Sequence, residues 1–253
     1  MARRFFKYLV AQGVMARNPL DEGPLGGERR PRNTPFRPFI FTQAQIAAIL
    51  AAAKRLPPNH LFPLRPQVCY TMIRLLYALG LRLGEALRLC LQDVDLDRGT
   101  LLIRQTKFHK SRLLPFGPRI RDCLRQYLVA RRNVLRPPRG EDPLFVALWR
   151  RPMGAATIGA AFHNLLAEVG LRKRKGVRGP RVHDLRHAFA VHRLLRWYRE
   201  DVDVQSRLML LATFMGHVEI RSTEVYLTIT AELLQEASNR FHRGFGSVIR
   251  KEV

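Results

Sequence analysis

The chain has 253 residues, and 47% of them are apolar, which is enough to bury a core and excludes an intrinsically disordered protein. Lysine and arginine number 44 against 20 aspartate and glutamate, so the net charge is +24. This excess favours a polyanionic partner, and nucleic acid fits it better than an anionic membrane surface does. No apolar stretch is long enough to span a membrane, and early charges argue against a signal peptide, so we expect a cytoplasmic protein.

The N-terminal part of the chain predicts one helix and a linker. Residues 1–20 combine aromatic and basic side chains at helical spacing, which predicts an amphipathic helix that ends before Asn18-Pro19. Residues 21–38 are rich in glycine, proline and arginine, a composition typical of a linker. The main domain is therefore expected to begin after residue 38.

Two helices are predicted at the start of this domain. Thr42 and Gln45 have the spacing of a capping box, which indicates that a helix begins at this point. A second run of apolar residues at helical spacing extends through Met72 and Leu79 and is expected to end near Gly80.

The sequence then changes character between residues 94 and 115. Residues 97–99 predict a turn, and residues 101–103 and 113–114 predict two strands on either side of a basic turn at 106–112. Helical periodicity returns over residues 119–132, 155–169, 184–197, 206–215 and 231–241. The predicted fold class is mainly α with a small antiparallel β-sheet, an α+β fold.

Three cysteines, Cys69, Cys90 and Cys123, lie far apart in apolar or amphipathic surroundings. They lack the close spacing that a zinc site needs. We interpret all three as reduced thiols in the core, because buried free cysteine is common.

The segment His183-Asp-Leu-Arg186-His187 is the most informative part of the chain. His183 and Arg186 are three residues apart, so they project from one face of a helix start, where an anion is also favoured. A buried polar pair or a surface salt bridge would have the same spacing. This segment alone therefore leaves its role open.

A second polar pair, Arg82 and Glu85, occurs at an otherwise apolar helix end. An ion in apolar surroundings needs a partner. Either Glu85 pairs with Arg82 structurally, or Arg82 reaches a ligand anion while Glu85 holds nearby donors. Further along lie His217 and Tyr226, and Tyr226 by itself would equally fit an amphipathic helix.

Taken in this order, the residues resemble the catalytic core of the tyrosine recombinases, the phage integrase family. The similarity runs from about residue 41 to residue 241 and comprises Gly80-Leu81-Arg82 through Glu85, a basic β-turn, His183-x-x-Arg186-His187, Gly216-His217 and the later Tyr226. Each motif is weakly specific, whereas their order on a basic, α-rich chain is strongly specific. The resemblance implies a site-specific DNA recombinase that serves a mobile genetic element or a chromosome.

The resemblance also implies a role for each residue. Tyr226 would be the nucleophile that forms a 3′-phosphotyrosyl bond and frees a 5′-hydroxyl. Arg82 and Arg186 would clamp the non-bridging phosphate oxygens, a task that forked guanidinium donors suit. His183 would act as general base toward the tyrosine, and His217 would donate to the phosphate.

Other residues receive secondary roles by the same resemblance. Glu85 and His187 are assigned to support, and the lysine that protonates the leaving oxygen matches Lys107, with Lys110 as the nearby competitor. No metal or other cofactor is implied, because the arginines supply the electrostatic stabilisation that a divalent ion would give. The basic loop before His183 is either a solvated charge run or a phosphate contact, and its candidate DNA-binding residues are Arg172, Lys173, Arg174 and Lys175.

The sequence departs from the family pattern in two places. The family usually carries a complete helical DNA-binding domain, of which residues 1–20 resemble only the last helix; the linker 21–38, a catalytic domain 39–245 and a basic tail 246–253 would follow. The distance from Arg186 to His217 is also longer than usual. Residues 198–203 are therefore expected to form a surface loop or a helix extension.

The expected partners are double-stranded DNA and other recombinase protomers, identical or different, in a tetrameric synapse. A catalytically impaired DNA-binding accessory or truncated recombinase remains an alternative, as does a type IB topoisomerase-like enzyme that relaxes DNA. The last helix carries an apolar stripe with Leu233 and Leu234, which must be buried somewhere. The resemblance implies that it docks on a neighbouring protomer, so we expect Leu233 and Leu234 to mediate assembly on DNA; docking on its own domain is the alternative.

Overall fold

The structure is a computed structural model that describes residues 2–19, 38–58, 62–104, 111–135, 139–147, 152–171, 179–217, 221–228 and 231–249. It divides into two units, Met1–Arg37 and Pro38–Val253. The predicted linker falls almost entirely on residues outside the described ranges, and so do Lys107, Lys110 and the basic residues 172–175.

The first unit contains helix α1, which spans Ala2–Ala11. The predicted helix over residues 1–20 is therefore too long. The amides of Gly13 and Val14 fold back onto carbonyl groups of the preceding turn, at 3.1 and 3.0 Å, and this pattern closes the helix. The sequence signal that marks the true end is Gly13, which lies in the left-handed region with φ +70°.

The second unit is mainly helical. Its longer helices are α2 (Gln43–Lys54), α3 (Arg65–Ala78), α5 (Pro118–Val134), α6 (Ala155–Glu168), α7 (Asp184–Arg199), α8 (Val204–Met215) and α10 (Ala231–Ile249), and its short helices are α4 (Leu83–Leu87) and α9 (Arg221–Glu224). All seven predicted helices of this unit are present, and α10 extends past residue 241 to Ile249. No helix among the described residues is both long enough and apolar enough to cross a membrane.

The ends of α2 and α3 follow from their sequences. The Thr42 hydroxyl accepts a hydrogen bond from the Gln45 amide at 3.1 Å, and the Gln45 side chain accepts one from the Thr42 amide at 2.9 Å, which confirms the capping box. Helix α3 ends at Ala78, and Gly80 then adopts φ +60°. This turn brings Arg82 to the start of α4.

A three-stranded antiparallel sheet interrupts the helices in the order β1 (Val94–Asp95), β2 (Thr100–Ile103), β3 (Arg112–Pro115). Strands β2 and β3 confirm the prediction, and β1 is additional. The register pairs Ile103 with Arg112, so Arg112 lies at the end of the hairpin next to residues 105–110, which are outside the described ranges.

Buried apolar side chains form two clusters. The larger unites α2, α3, α5, α6 and the sheet, and the smaller unites α7, α8, Tyr226 and Leu233. Helix α7 packs against α3 in the first cluster and against α8 and α10 in the second. The N-terminal end of α7, which carries the candidate histidines and arginine, therefore lies where the two clusters meet.

The C-terminal helix docks in part on its own domain. Leu233 is fully buried in the smaller cluster, whereas Leu234 is 51% exposed. Arg199, at the end of α7, forms ion pairs with Glu232 and Glu236 of α10. Leu233 is therefore docked within its own domain, and the expectation that it mediates assembly with a neighbouring protomer is wrong for this residue. Residues 198–203 form the extension of α7 and the turn into α8.

The prediction that the cysteines are free thiols in the core is confirmed for two of the three. Cys69 and Cys123 are buried and free. Cys90 is free but only partly buried, so its assignment to the core is wrong. It follows α4, where its amide donates to the Asp93 carboxylate at 2.9 Å and its thiol donates to the Arg88 carbonyl at 3.8 Å.

Gly80→Ala should lower the free energy of unfolding. Its φ of +60° disfavours a side chain, and an added Cβ would lie 2.5 Å from the buried Phe189 ring. These two terms should cost about 1–3 kcal/mol in urea unfolding. Gly159→Ala is the matched control, because this glycine lies inside α6 with nothing within 4 Å of an added Cβ. The control should gain about 0.5–1 kcal/mol, and equal losses in both variants would contradict the argument.

Candidate active site

Arg82 is held at the first turn of α4 by a carboxylate and a carbonyl. One terminal nitrogen of its guanidinium donates to Glu85 Oε1 at 2.8 Å, and the other donates to the Gly216 carbonyl at 2.9 Å. The backbone amide of Arg82 also donates to the Glu85 carboxylate, at 3.1 Å. Of the two sequence alternatives for Glu85, direct pairing with Arg82 is present, and the guanidinium remains about one third exposed.

Arg112, at the start of β3, binds the same carboxylate as Arg82. Its two terminal nitrogens donate to the two Glu85 oxygens at 3.1 and 2.8 Å, and its Nε donates to the Phe214 carbonyl at 3.1 Å. Arg112 was not among the residues predicted from the sequence. The sequence shows only an arginine in the strand after the basic turn, and arginine is too common in this chain for that position to indicate a role.

Glu85 stays ionised despite its burial. Burial by itself raises the pKa of the Glu85 carboxyl, but hydrogen bonds and charge from Arg112, and then from Arg82, outweigh it and lower the pKa to about 2. The side chain is only 2% exposed. A permanent negative charge is therefore enclosed between two guanidinium groups.

Arg186 is almost fully buried at the start of α7 and is held by backbone carbonyl groups. Its terminal nitrogens donate to the Gly80 carbonyl at 2.5 Å and to the Met215 carbonyl at 2.8 Å. Burial, followed by repulsion from Arg82, lowers its pKa to about 10, so the guanidinium is still charged at neutral pH. Its charge is not cancelled by the carbonyl dipoles, and the site therefore keeps a positive excess.

Three histidines beside these arginines are neutral at physiological pH. Burial, and then Arg186 and Arg82, lower the pKa of His217 to about 3, and burial, and then His183 and Arg181, lower that of His187 to about 4. The pKa of His183 is also lowered, by burial and then by Arg186. Each imidazole can consequently accept or donate a hydrogen bond without adding charge.

Tyr226 lies at the centre of these groups on a 3₁₀ turn, Val225–Thr228, which follows α9. Its side chain is 4% exposed, and its hydroxyl lies 2.9 Å from His187 Nδ1. The His217 ring stacks near it at a centroid distance of 6.3 Å. Burial raises the pKa of the tyrosine, and Arg186 and Arg82 oppose that rise.

His217 is oriented by a residue that the sequence analysis missed. Its Nδ1 lies 2.7 Å from the hydroxyl of Thr223, which is fully buried on α9. His217 itself follows the C-terminal end of α8, where Gly216 adopts φ +68°. No motif in the sequence signals Thr223, because a threonine six residues away acquires this contact only through the turn between α8 and α9.

The structure brings together the predicted residues that it describes, namely Arg82, Glu85, His183, Arg186, His187, His217 and Tyr226. One contact differs from the sequence expectation. In the described part of the chain, the imidazole at the tyrosine hydroxyl is that of His187, whereas the sequence analysis placed His183 there. His183 lies edge-on to His187, with a centroid distance of 4.8 Å.

The sequence profile of the phage integrase family matches residues 40–232, which is well over half of the chain. The chain belongs to the phage integrase family. The seven residues of the cluster all fall inside the matched region, so the family resemblance and the packed site coincide.

Curated members of the phage integrase family resemble most of the chain. A putative integrase/recombinase, y4rB, of Sinorhizobium fredii is 38% identical over 229 residues, which are 90% of this chain and 73% of that protein. The tyrosine recombinase XerD of Listeria innocua is 30% identical over 243 residues, which are 95% of this chain and 73% of that protein.

Solved structures agree on the fold. The XerA recombinase superposes with a TM-score of 0.62 at 22% identity and covers 81% of this chain and 66% of its own. The Tn1549 transposon integrase in complex with transposon right end DNA superposes with a TM-score of 0.65 at 18% identity, over 95% of this chain and 76% of its own. The predicted fold class, that of a tyrosine recombinase catalytic domain, is confirmed.

Acidification should destabilise the fold through His217. The unfolded imidazole titrates near its ordinary pKa of 6.5 and the folded one near 3, so between these values the unfolded state binds more protons. The free energy of unfolding therefore falls as the pH drops through this window. His217→Gln should show a smaller fall in urea midpoint between about pH 7 and pH 5 than the wild type.

The matched control is His163→Gln, an exposed position on α6, which should keep the wild-type pH dependence. If His217→Gln and the wild type lose stability in parallel, the buried imidazole is not the source of the effect.

Proposed function

We propose that this chain is a site-specific DNA recombinase that cleaves and rejoins DNA through a phosphotyrosyl intermediate at Tyr226. The observation that carries the proposal is a buried tyrosine hydroxyl beside an uncompensated positive charge. Arg82 and Arg112 bind one carboxylate, that of Glu85, whereas Arg186 is held by backbone carbonyl groups and keeps its charge, and the neighbouring imidazoles are neutral. Such a site favours an anion, and a phosphodiester bound there would lie next to a tyrosine nucleophile and to the guanidinium groups that stabilise transition-state charge.

In the proposed reaction the Tyr226 oxygen attacks the phosphorus, a 3′-phosphotyrosyl bond forms, and the bond to the 5′-oxygen breaks. Arg82 and Arg186 stabilise the charge on the non-bridging oxygens as the transition state forms. His217 donates a hydrogen bond to the phosphate. The second half-reaction runs the same steps backwards, with a 5′-hydroxyl of another strand as the nucleophile.

Two protons must move in this reaction. The tyrosine proton moves to an imidazole, and His183 is the candidate from the sequence. His183 lies edge-on to His187, whose Nδ1 is next to the tyrosine hydroxyl in this structure. His187 and Glu85 are assigned to positioning. The leaving 5′-oxygen takes its proton from a lysine of the turn after β2, for which Lys107 is the candidate and Lys110 the competitor.

Double-stranded DNA and further recombinase protomers are the proposed partners. Structures with a similar fold include a XerH site-specific recombinase bound to a palindromic difH substrate and a lambda integrase dimer bound to a COC′ core site. The net charge of +24 supports DNA as the partner, because neutralised phosphates release counterions. Arg172, Lys173, Arg174 and Lys175 are candidate phosphate contacts.

Three regions of the chain have proposed roles, and the protein has a proposed cellular location. Residues 39–245 would act as the catalytic domain, residues 1–20 as part of a core-binding domain, and residues 246–253 as a basic tail. The similar curated proteins are bacterial, and DNA in a bacterial cell lies in the cytoplasm, which is the proposed location. Relatives described as integrases and recombinases favour strand exchange over simple relaxation or passive binding.

Tyr226→Phe should abolish a covalent protein–DNA adduct and leave DNA binding nearly unchanged, because only the attacking oxygen is removed. The probe is a pool of nicked duplexes with randomised inverted-repeat arms, in which cleavage releases a short strand and traps the adduct. Adducts are isolated under denaturing conditions and their DNA is sequenced. An adduct formed equally by Tyr226→Phe would overturn the assignment of the nucleophile, and no adduct from the wild type would overturn the proposed function.

Lys107→Ala should lower the cleavage rate on captured duplexes by about 100-fold or more, on the scale of a lost general acid. Replacing the bridging 5′-oxygen of the DNA by sulfur should restore the rate, because a thiolate leaves without a proton. Lys110→Ala is the matched control from the same turn and should show no such rescue. If the rescue occurs with Lys110→Ala instead, Lys110 is the acid.

A further inference from the structure

The Arg112 side chain joins three separate parts of the site. Arg112 is the first residue of β3. Its guanidinium binds both oxygens of Glu85 on α4, and its Nε donates to the Phe214 carbonyl in the last turn of α8. Its side chain is 13% exposed, so these contacts are largely shielded from water. An added Cβ on Gly216 would lie 2.6 Å from a terminal nitrogen of Arg112, which shows how closely the guanidinium packs against the residue before His217.

Arg112 and Arg82 share a single carboxylate and cannot be considered separately. Glu85 Oε1 accepts from both guanidinium groups, at 2.8 Å from Arg82 and 3.1 Å from Arg112. The carboxylate therefore has a defined orientation that neither arginine alone would impose. A guanidinium fork suits this geometry, whereas an ammonium group could not bind both carboxylate oxygens and a carbonyl at once.

The charged groups around Glu85 come from several elements. Arg82 precedes α4, Arg112 lies on β3 and Arg186 on α7; Arg82 and Arg112 lower the pKa of Glu85, and repulsion from Arg82 and Arg112 contributes to the lowered pKa of Arg186. His217, after α8, lies within the influence of the same arginines and stays neutral. Among these groups Arg112 makes the largest favourable contribution to keeping the Glu85 carboxyl ionised against its burial.

We propose that Arg112 is a positioning residue for the recombination reaction, which orients Arg82 through Glu85 and holds the end of α8 that presents His217. The inference rests on the proposed function and extends it to a residue that contacts neither tyrosine nor phosphate. Because Arg112 also begins β3 and pairs with Ile103 of β2, its contacts tie these two strands to the arginine clamp.

The test is single-turnover cleavage of the duplexes captured by the wild type, measured across pH for Arg112→Met and Arg112→Lys. Arg112→Met should cleave about 10- to 100-fold more slowly at neutral pH, since a small displacement of a transition-state donor has an effect of this size. Its rate should fall further on mild acidification, because Glu85 without Arg112 is protonated at a higher pH. Arg112→Lys keeps the positive charge, so its cleavage rate should fall less than that of Arg112→Met. Its rate should also depend on acidic pH as the wild-type rate does.

The control is Arg131→Met, which removes a buried arginine of α5 that donates to the Pro143 carbonyl at 3.2 Å. It should cleave at the wild-type rate even if its melting temperature falls. A wild-type rate for Arg112→Met, or a uniform loss without a displaced acid limb, would overturn the proposal. If Arg112→Met does not fold, a wild-type rate for Arg112→Lys would overturn it as well.

A second readout does not need DNA. With 13C-carboxyl-labelled glutamate, the Glu85 resonance is assigned by its loss in Glu85→Gln and followed on acidification. In the wild type the resonance should remain that of a carboxylate down to about pH 4. In Arg112→Met the carboxylate should titrate above that pH, whereas in Arg112→Lys it should not. A carboxylate that stays ionised in Arg112→Met would overturn the proposal even if the wild type formed no DNA adduct.

Discussion

Burial of more positive than negative charge is the constraint on which the site depends. Arg82 and Arg112 share the buried carboxylate of Glu85, and Asp184, a second buried carboxylate at the start of α7, pairs with Arg181. Arg186 is therefore stabilised by the dipoles of backbone carbonyl groups. Burial of a cation without a partner in an apolar interior costs free energy. Removing one partner of a buried ion pair therefore destabilises the fold by several kcal/mol, because the remaining charge is left unpaired. The fold meets this constraint while leaving the charge excess that an incoming phosphate can neutralise.

Backbone carbonyl groups at helix ends supply those dipoles. Helix α3 ends just before Gly80, whose carbonyl binds Arg186, and the last turn of α8 offers the carbonyls of Phe214 and Met215 to Arg112 and Arg186. The C-terminal end of a helix carries partial negative charge on carbonyls that have no partner within the helix. Two helix ends thus act as uncharged counterparts of the arginines. A carboxylate in either place would cancel the attraction for DNA, whereas a carbonyl orients the guanidinium and leaves its charge.

The same positive environment sets the state of the neighbouring groups. It lowers the pKa values of His183, His187 and His217 in addition to the effect of burial, and it opposes the rise in the pKa of Tyr226. The tyrosine is buried and bound to His187, so its hydroxyl is held in place as a neutral group. A bound phosphodiester would reverse part of this balance, because its negative charge raises the proton affinity of the imidazoles next to it.

The sequence by itself determined the fold class, most helix positions and seven of the residues at the site, because these depend on local periodicity, on caps such as Thr42 and on the order of short motifs. It did not determine which imidazole meets the tyrosine. His183 and His187 are one turn apart on α7, and only the position of the 3₁₀ turn that carries Tyr226 chooses between them. Arg112, Thr223 and the division between buried Leu233 and exposed Leu234 were likewise decided by tertiary structure. Arg112 and Glu85 lie 27 residues apart, and periodicity assigns a residue to a face of an element without saying what that face will meet.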